Sequence, residues 1–170
     1  MDIGLELLTP EDETPLLVFE LENRSFFESK VPGRGDDYYQ AAGFQCRHRL
    51  LLEEQERGES LFYRIKDGKG RILGRINLVA IDRQEGCGSL GYRVGEIHGG
   101  KGVAAKAVGL LLGELPALGV KIVDAKTTRD NSASQRVLEK NGFEKKNGSL
   151  LEFEEGEKTH SFVHYNWRSK

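Results

Sequence analysis

The sequence predicts a single domain of the α/β (α+β) class, residues 1–170, with a mixed, mostly antiparallel sheet of about seven strands flanked by helices. Three observations predict it: two helical segments precede the main strands, three strands separated by turn residues occupy the middle, and later strands alternate with helices. The coarse order of elements is βααβββαβαββ. No repeat, low-complexity tract or linker interrupts the 170 residues, so no domain boundary is expected.

A strand and two helices are expected before the main sheet. Residues 3–9, IGLELLT, alternate loosely between apolar and polar side chains, which is typical of a strand. Thr9, Pro10 and the acidic residues after them suit the start of a helix, which continues until the proline and glycines of residues 31–35 break it. A second helix is expected over residues 41–57, because its apolar residues recur on one side.

The middle of the chain has the pattern of an antiparallel meander. Its strands are expected within LFYRIKD (residues 61–67), RILGRINLVAID (residues 71–82) and SLGYRVGEI (residues 89–97). Glycine-rich turns separate them, because glycine adopts the positive φ angles that tight hairpins require.

Helices and strands alternate in the last part of the chain. GGKGVAAKAVGLLLGELPALG returns to helical spacing, and VKIVDAKTT has the composition of a buried strand. DNSASQRVLEKNG is expected to form a helix that begins at Asp130 or Asn131 and ends at Gly142. The remaining residues are expected to form a terminal hairpin that turns near residues 155–157.

Composition excludes several classes of function. The net charge of −2 and a pI near 6.1 leave no positive field that would attract nucleic acid. Cys46 and Cys87 are the only cysteines and lack the spacing of a metal site or disulfide framework, so reduced thiols and no metal are expected. The absence of a long apolar stretch or a signal-peptide pattern predicts a cytoplasmic protein without a membrane partner. A monomer and a homodimer both remain open.

The stretch GEIHGGKGVAAKAVG, residues 95–109, fits three ligand-binding motifs. A Walker A loop needs Ser or Thr after the lysine to bind Mg²⁺, and Gly102 stands there. A dinucleotide fingerprint is supported by Asp124, roughly 20 residues later, but the repeated βα units of that fold do not follow. The third motif is the pyrophosphate loop of an acyl-CoA enzyme. All three place outward-facing N–H groups at a helix start, which predicts a pyrophosphate site rather than a plain glycine-rich turn.

Two segments together resemble a known family. GYRVGEIHGGKGVA, followed after a helix and a strand by DNSASQRVLEKNGF, is similar to the acetyl-CoA loop and the following helix of the GNAT N-acetyltransferases. The likeness is closest to the ribosomal-protein alanine N-acetyltransferases of the RimJ/RimL kind, and it extends to NRSFF and RGDDYY near the N-terminus. The resemblance implies the GNAT fold, whose sheet splays in a V between the fourth and fifth strands, and acetyl-CoA (CoA) as the cofactor.

The resemblance also implies a set of cofactor-binding residues. The backbone of residues 100–104 corresponds to the pyrophosphate cradle, the strand end around Tyr92 and Val94 to the main chain that pairs with the pantetheine arm, and Asn131 to an asparagine that binds this arm. Asn131 is equally interpreted as a helix N-cap. Gly99 stands where the family usually has Gln or Arg. The full set is Tyr92, Val94, Gly99, Gly100, Lys101, Gly102, Val103, Ala104, Asn131 and Ser134.

The catalytic residues implied by the resemblance are few. Many members use a tyrosine to protonate the departing thiolate, and Leu138 occupies the matching position, so Ser134, one turn earlier, is expected to relay this proton or only to make room for CoA. A backbone N–H near Val94 is expected to stabilise the oxyanion. Glu152 is the candidate base, with solvated surface charge as its alternative; His98 is a second candidate, or a surface residue.

The acceptor side is expected to be formed by the first two helices and the loop between them. Arg24 could pair with a carboxylate or a carbonyl of the acceptor. The candidates are Asn23, Arg24, Phe26, Phe27, Tyr38 and Tyr39, of which Phe26 and Phe27 are also typical core residues. We therefore expect an acetyl-CoA-dependent N-acetyltransferase acting by direct attack of a primary amine, such as the N-terminal amine of a ribosomal protein. The alternatives are a polyamine, aminoglycoside or amino-acid acetyltransferase, and a CoA-binding module without turnover.

Overall fold

The computed structural model describes residues 2–155 and 158–170, without the side chains of residues 147–160. Five α-helices and seven β-strands are found in this part of the chain, and none of the helices is long and apolar enough to cross a bilayer. Their bounds are β1 (Ile3–Leu7), α1 (Glu13–Glu22), α2 (Arg24–Glu28), α3 (Ala41–Glu56), β2 (Leu61–Asp67), β3 (Ile72–Asp82), β4 (Cys87–Val94), α4 (Val103–Leu118), β5 (Ile122–Thr128), α5 (Ser132–Lys140), β6 (Glu144–Glu155) and β7 (Lys158–Arg168).

The seven strands form one open sheet in the order β1-β2-β3-β4-β5-β7-β6. All neighbours are antiparallel except β4 and β5, which are parallel. The predicted mixed, mostly antiparallel sheet is therefore confirmed. The predicted turn at residues 155–157 falls largely on residues 156–157, which lie outside the described part of the chain.

The predicted first helix is divided in two at Asn23. The backbone of Asn23 leaves the helical region at φ −106° and ψ 5°, and its side-chain Nδ2 donates to the Phe19 carbonyl at 2.9 Å. An asparagine side chain competes in this way with the backbone for hydrogen bonds, which ends α1 and lets α2 start in a new direction.

The parallel pair β4–β5 separates part-way along its length. Their pairing runs from Cys87 opposite Ile122 to Leu90 opposite Ala125. Beyond that point β4 continues to Val94 in register with β3, and β5 continues in register with β7. Residues 91–94 of β4 thus have one side open, and a cleft begins where the two strands part.

The two faces of the sheet are covered by different helices. The face here called the α4 face packs against α4 and α5, and its core includes Leu90, Leu111 and Leu138. The face called the α1/α3 face packs against α1 and α3 around Leu16 and Phe44. Burying each such side chain contributes about 1.5–3 kcal/mol, so both layers hold the sheet in place. Side chains alternate along β4, so that successive residues at the cleft point to opposite faces.

Candidate active site

The loop between β4 and α4 presents backbone donors at a helix start. Gly100 (φ 71°) and Gly102 (φ 78°) adopt the left-handed conformation that glycine accepts most readily. The first bond of α4 runs from the Lys106 N–H to the Gly102 carbonyl, so the N–H groups of residues 103–105 have no acceptor within the helix. Together with the positive end of the helix dipole, these donors suit a phosphate.

Gly99, where the resembling family carries a longer side chain, has an ordinary extended backbone (φ −67°, ψ 152°). A Cβ added there would lie 3.3 Å from the Glu96 carbonyl oxygen, a close contact that requires a small shift of the loop. The conformation of the loop therefore does not require glycine at this position. Lys101, beside it, is exposed and adds a positive charge to the loop.

The open edge of β4 lies beside this loop. Tyr92 and Val94 direct their side chains into the core of the α4 face, while the main-chain groups of residues 91–94 border the cleft. An extended ligand could pair with this edge as an added strand.

Tyr92 and Ser134 connect the two walls of the cleft. The Tyr92 hydroxyl lies 2.8 Å from Ser134 Oγ, where either group can donate, and 3.2 Å from the Ser134 carbonyl oxygen, which is the alternative acceptor for the single phenol hydrogen. Burial raises the pKa of Tyr92 to about 12, although the hydrogen bond to Ser134 acts in the opposite direction. The phenol is therefore protonated over the physiological pH range. Leu138, one turn beyond Ser134, is 1% exposed in the core.

Asn131 begins α5 as an N-cap. Its side-chain Oδ1 accepts from the Ser134 N–H at 3.1 Å, which fixes the first turn of the helix. The cap places Ser134 against β4, so Asn131 positions the serine hydroxyl at the cleft.

The acceptor-side residues chosen from the sequence make mostly internal contacts. Asn23 accepts from the Glu96 N–H at 2.9 Å and so fastens α1 to the loop that follows β4. Arg24 pairs with Glu28 and Asp36, at 2.9 and 2.6 Å, and lies over the Tyr39 ring. Among the other candidates, Phe27 and Tyr39 are buried, Phe26 packs on Phe27, and Tyr38 packs on Tyr39 and Phe44.

A cavity of about 250 Å³ on the α1/α3 face was missed by the sequence analysis. It is bordered by residues 91–93 of β4, the same residues that are open to the cleft. Its ionisable lining, tyrosines apart, is Glu20, Arg34, Arg47, Arg75 and Arg93. These residues come from five separate segments, so no local motif marks them. The sequence did offer one signal of this cavity. Glu20 is a charged residue four positions after Leu16, which places it on the buried side of α1.

The candidate bases are dispersed. Glu152 lies in β6 opposite Ser161, and its side chain is outside the described residues. Burial lowers the pKa of His98, and the positive charges of Lys101 and Arg71 lower it further. His164 of β7, not selected from the sequence, has a buried Nε2 with no hydrogen-bond partner among the described side chains. No group of three or more described His, Cys, Asp or Glu side chains could hold a metal ion.

These features together fit a long pyrophosphate-containing cofactor. The helix start offers donors to the pyrophosphate, the β4 edge offers main-chain groups to an extended arm, and Asn131 and Ser134 face the same cleft. An added Cβ at Gly100 or Gly102 would meet no atom within 4 Å, so the protein leaves space above the loop.

Comparison with known proteins gives the family. Residues 2–144 match the acetyltransferase (GNAT) domain. Probable N-acetyltransferase YjcK of Bacillus subtilis (strain 168) is 33% identical over 144 residues, covering 83% of this chain and 78% of that protein.

Solved structures agree on the fold. The ribosomal-protein-S5-alanine acetyltransferase of Vibrio fischeri has a TM-score of 0.88 at 18% identity, covering 99% of this chain and 93% of that one. Spermidine N-acetyltransferase of Vibrio cholerae, in complex with CoA and spermine, has a TM-score of 0.79 at 15% identity, covering 98% of this chain and 95% of that one. The chain belongs to the GNAT family of N-acetyltransferases, enzymes that use acetyl-CoA as the acetyl donor.

Proposed function

We propose that this protein transfers an acetyl group from acetyl-CoA to the N-terminal α-amine of a protein or peptide. The observation that carries the proposal is the position of residues 91–93 of β4. Their main chain borders the cleft, Tyr92 reaches Ser134 on the α4 face, and Arg93 lines the cavity on the α1/α3 face. A cofactor on one side of β4 and an acceptor on the other would meet at these residues.

The cofactor is held by the residues that fit its chemistry. The backbone N–H groups of residues 100–104, Gly99 before them and the exposed Lys101 take the pyrophosphate. The main chain at Tyr92 and Val94 would pair with the pantetheine arm, and the Asn131 side chain at the start of α5 would bind the same arm. When bound, acetyl-CoA supplies a thioester whose carbonyl an uncharged amine can attack.

Ser134 and Tyr92 supply the proton that the departing CoA thiolate requires. When the Tyr92 phenol donates to Ser134 Oγ, the serine hydroxyl hydrogen is free to donate to a group in the cleft. The raised pKa of Tyr92, caused mainly by burial, keeps this donor protonated. Many family members protonate the thiolate with a tyrosine, whose position is occupied here by the buried Leu138. Ser134 and Tyr92 together supply this proton instead.

The charge of the cavity favours an α-amine over a more basic amine. An α-amine has a pKa near ~8, against about 10.4 for a lysine-type amine, so a larger share is neutral at cellular pH. Arginines around the cavity disfavour the protonated amine further. A weak base is then sufficient, and Glu152 remains our candidate. Similarity in fold to the Vibrio fischeri ribosomal-protein acetyltransferase supports a protein N-terminus as acceptor.

An acceptor screen tests the proposal. Purified protein is incubated with acetyl-CoA and peptides that begin with Ala, Ser or Thr, or with polyamines, aminoglycosides or amino acids, and thiol release is measured. We expect thiol release with peptides and little with polyamines. Binding of acetyl-CoA without thiol release from any acceptor would make the protein a CoA-binding module and refute the proposal.

A further inference from the structure

The cavity on the α1/α3 face is strongly cationic. Four arginines and one glutamate line it, a formal charge of +3 in a protein whose net charge is −2. A concave site lined by charges of one sign concentrates the electric field and attracts ligands of opposite charge.

Part of this charge is fixed in place by the protein. Glu20 is 0% exposed, and its two oxygens accept from Arg75 and Arg93, each at 3.0 Å. Arg75 also donates to the Tyr38 hydroxyl at 3.3 Å, and Arg93 lies 4.5 Å from the centre of the Phe27 ring. One carboxylate neutralises only one of the two guanidinium groups, so the cluster of Glu20, Arg75 and Arg93 keeps a net positive charge. Its hydrogen-bond donors are already oriented by the carboxylate.

The other two arginines have no carboxylate partner among the described side chains. Arg34 and Arg47 are exposed, and neither forms an ion pair with a described residue. Arg34 lies over the Tyr38 ring, 5.0 Å from its centre. Arg34 and Arg93 line the same cavity, and repulsion from Arg34 adds to the effect of burial in lowering the pKa of Arg93. Two guanidinium groups at the rim of a cavity are suited to binding an oxyanion.

We propose that the acceptor amine carries an oxyanion group, a carboxylate or a phosphate, which the arginines of this cavity bind while the amine lies at residues 91–93. This inference rests on the proposed function and names its substrate class. In a protein acceptor the group is an acidic or phosphorylated side chain close to the N-terminus. A polyamine, which carries only positive charge, is repelled from the same cavity.

Four peptides of equal length that differ only at the second residue test the inference. They begin Ser-Asp, Ser-phosphoserine, Ser-Ala and Ser-Lys, and kcat/KM is measured by thiol release with saturating acetyl-CoA. We expect the acidic peptides to exceed the Ser-Lys peptide by roughly ten- to a hundredfold. The difference should shrink as salt rises, because the rim arginines are exposed. Comparing the Asp and phosphoserine peptides tells which oxyanion is preferred.

Variants locate the preference. Replacing Arg34 and Arg47 together by Ala should raise the KM for the acidic peptides, so that the ratio of their kcat/KM to that of the Ser-Lys peptide falls close to one. Arg49→Ala is the matched control, because Arg49 is exposed on the same helix and does not line the cavity. All three side chains are exposed, so the variants should fold normally.

The outcomes separate this inference from the proposed function. Equal kcat/KM for the acidic and Ser-Lys peptides would overturn the inference and leave the proposed N-terminal acetyltransferase activity in place, whereas spermidine as the best acceptor in the acceptor screen would overturn both. An acidic preference that survives in the double variant would assign it to another site and also overturn the inference. No thiol release with any of the peptides would count against the proposed function itself.

Discussion

The two sides of β4 are built on different principles. On the α4 face, the proposed cofactor site is mostly backbone: the N–H groups at the start of α4 and the open edge of one strand. On the α1/α3 face, the proposed acceptor site consists of long charged side chains drawn from five segments. The backbone site can persist through many side-chain changes, whereas the acceptor site can change its specificity by replacing a few arginines.

The largest effect should come from removing the carboxylate that organises the acceptor side. Glu20→Ala leaves Arg75 and Arg93 facing each other without their shared partner, and breaking a buried ion pair in this way costs about 3–5 kcal/mol. Denaturant unfolding measures the change in the free energy of unfolding. Glu22→Ala, at an exposed position of the same helix, should stay within about 0.5 kcal/mol. Equal stability of the two variants would show that the arginines are not held by Glu20.

The next largest effect should come from a side chain placed in the backbone site. Gly102→Glu puts a carboxylate at the helix start and strains a residue at φ 78°. We expect acetyl-CoA binding, measured by calorimetry, to weaken by about a hundredfold. Gly113→Glu is the matched control, since it lies in the same helix with no atom within 4 Å of an added Cβ. Unchanged affinity in Gly102→Glu would contradict the loop assignment.

A smaller effect is expected at the proton donor. Ser134→Ala should lower kcat by roughly tenfold while the Kd for acetyl-CoA changes little, because the hydroxyl acts on the products rather than on binding. Single-turnover and binding measurements distinguish the two. Ser132→Ala, exposed in the same helix, should behave like the unmodified protein. Equal losses in kcat and affinity would instead assign Ser134 a packing role.

The smallest effect should be seen at Tyr92. Tyr92→Phe removes one hydrogen bond to Ser134, worth about 1 kcal/mol, so kcat should fall about fivefold. A donor works while it is protonated, which for Tyr92 means below its pKa of about 12. The kcat of the unmodified protein should therefore show no alkaline decline up to pH ~10. An alkaline decline in kcat that disappears in Tyr92→Phe would show that the phenol ionises at a lower pH than expected.

The same contrast explains which features the sequence could predict. The succession of helices and strands along the chain and the loop before α4 were predictable because they depend on local patterns: alternation, glycine spacing, and a helix start after a strand. The division of the first helix was not, because it depends on an Asn23 side chain that binds both Phe19 and the distant Glu96.

The acceptor side was the least predictable part. Arg24 was chosen because it lies in a motif, yet it is engaged by Glu28 and Asp36. The arginines of the cavity meet only after α1 and α3 have packed on the sheet, and an isolated arginine in a sequence gives no sign of such a neighbour. Electrostatic sites of this kind can be predicted only from the tertiary structure, because their net charge is the sum over residues that are distant in the sequence.

The hydrogen bond from the Glu96 N–H to Asn23 has a thermodynamic consequence. It joins the loop before α4 to the end of α1, and Glu20 lies one turn back on that helix, holding Arg75 and Arg93. A cofactor that stiffens the loop also stiffens the carboxylate around which the arginines are arranged. The affinities for the two substrates are then linked. By reciprocity, an acidic acceptor should tighten the binding of acetyl-CoA by the same factor by which acetyl-CoA tightens the binding of the acceptor.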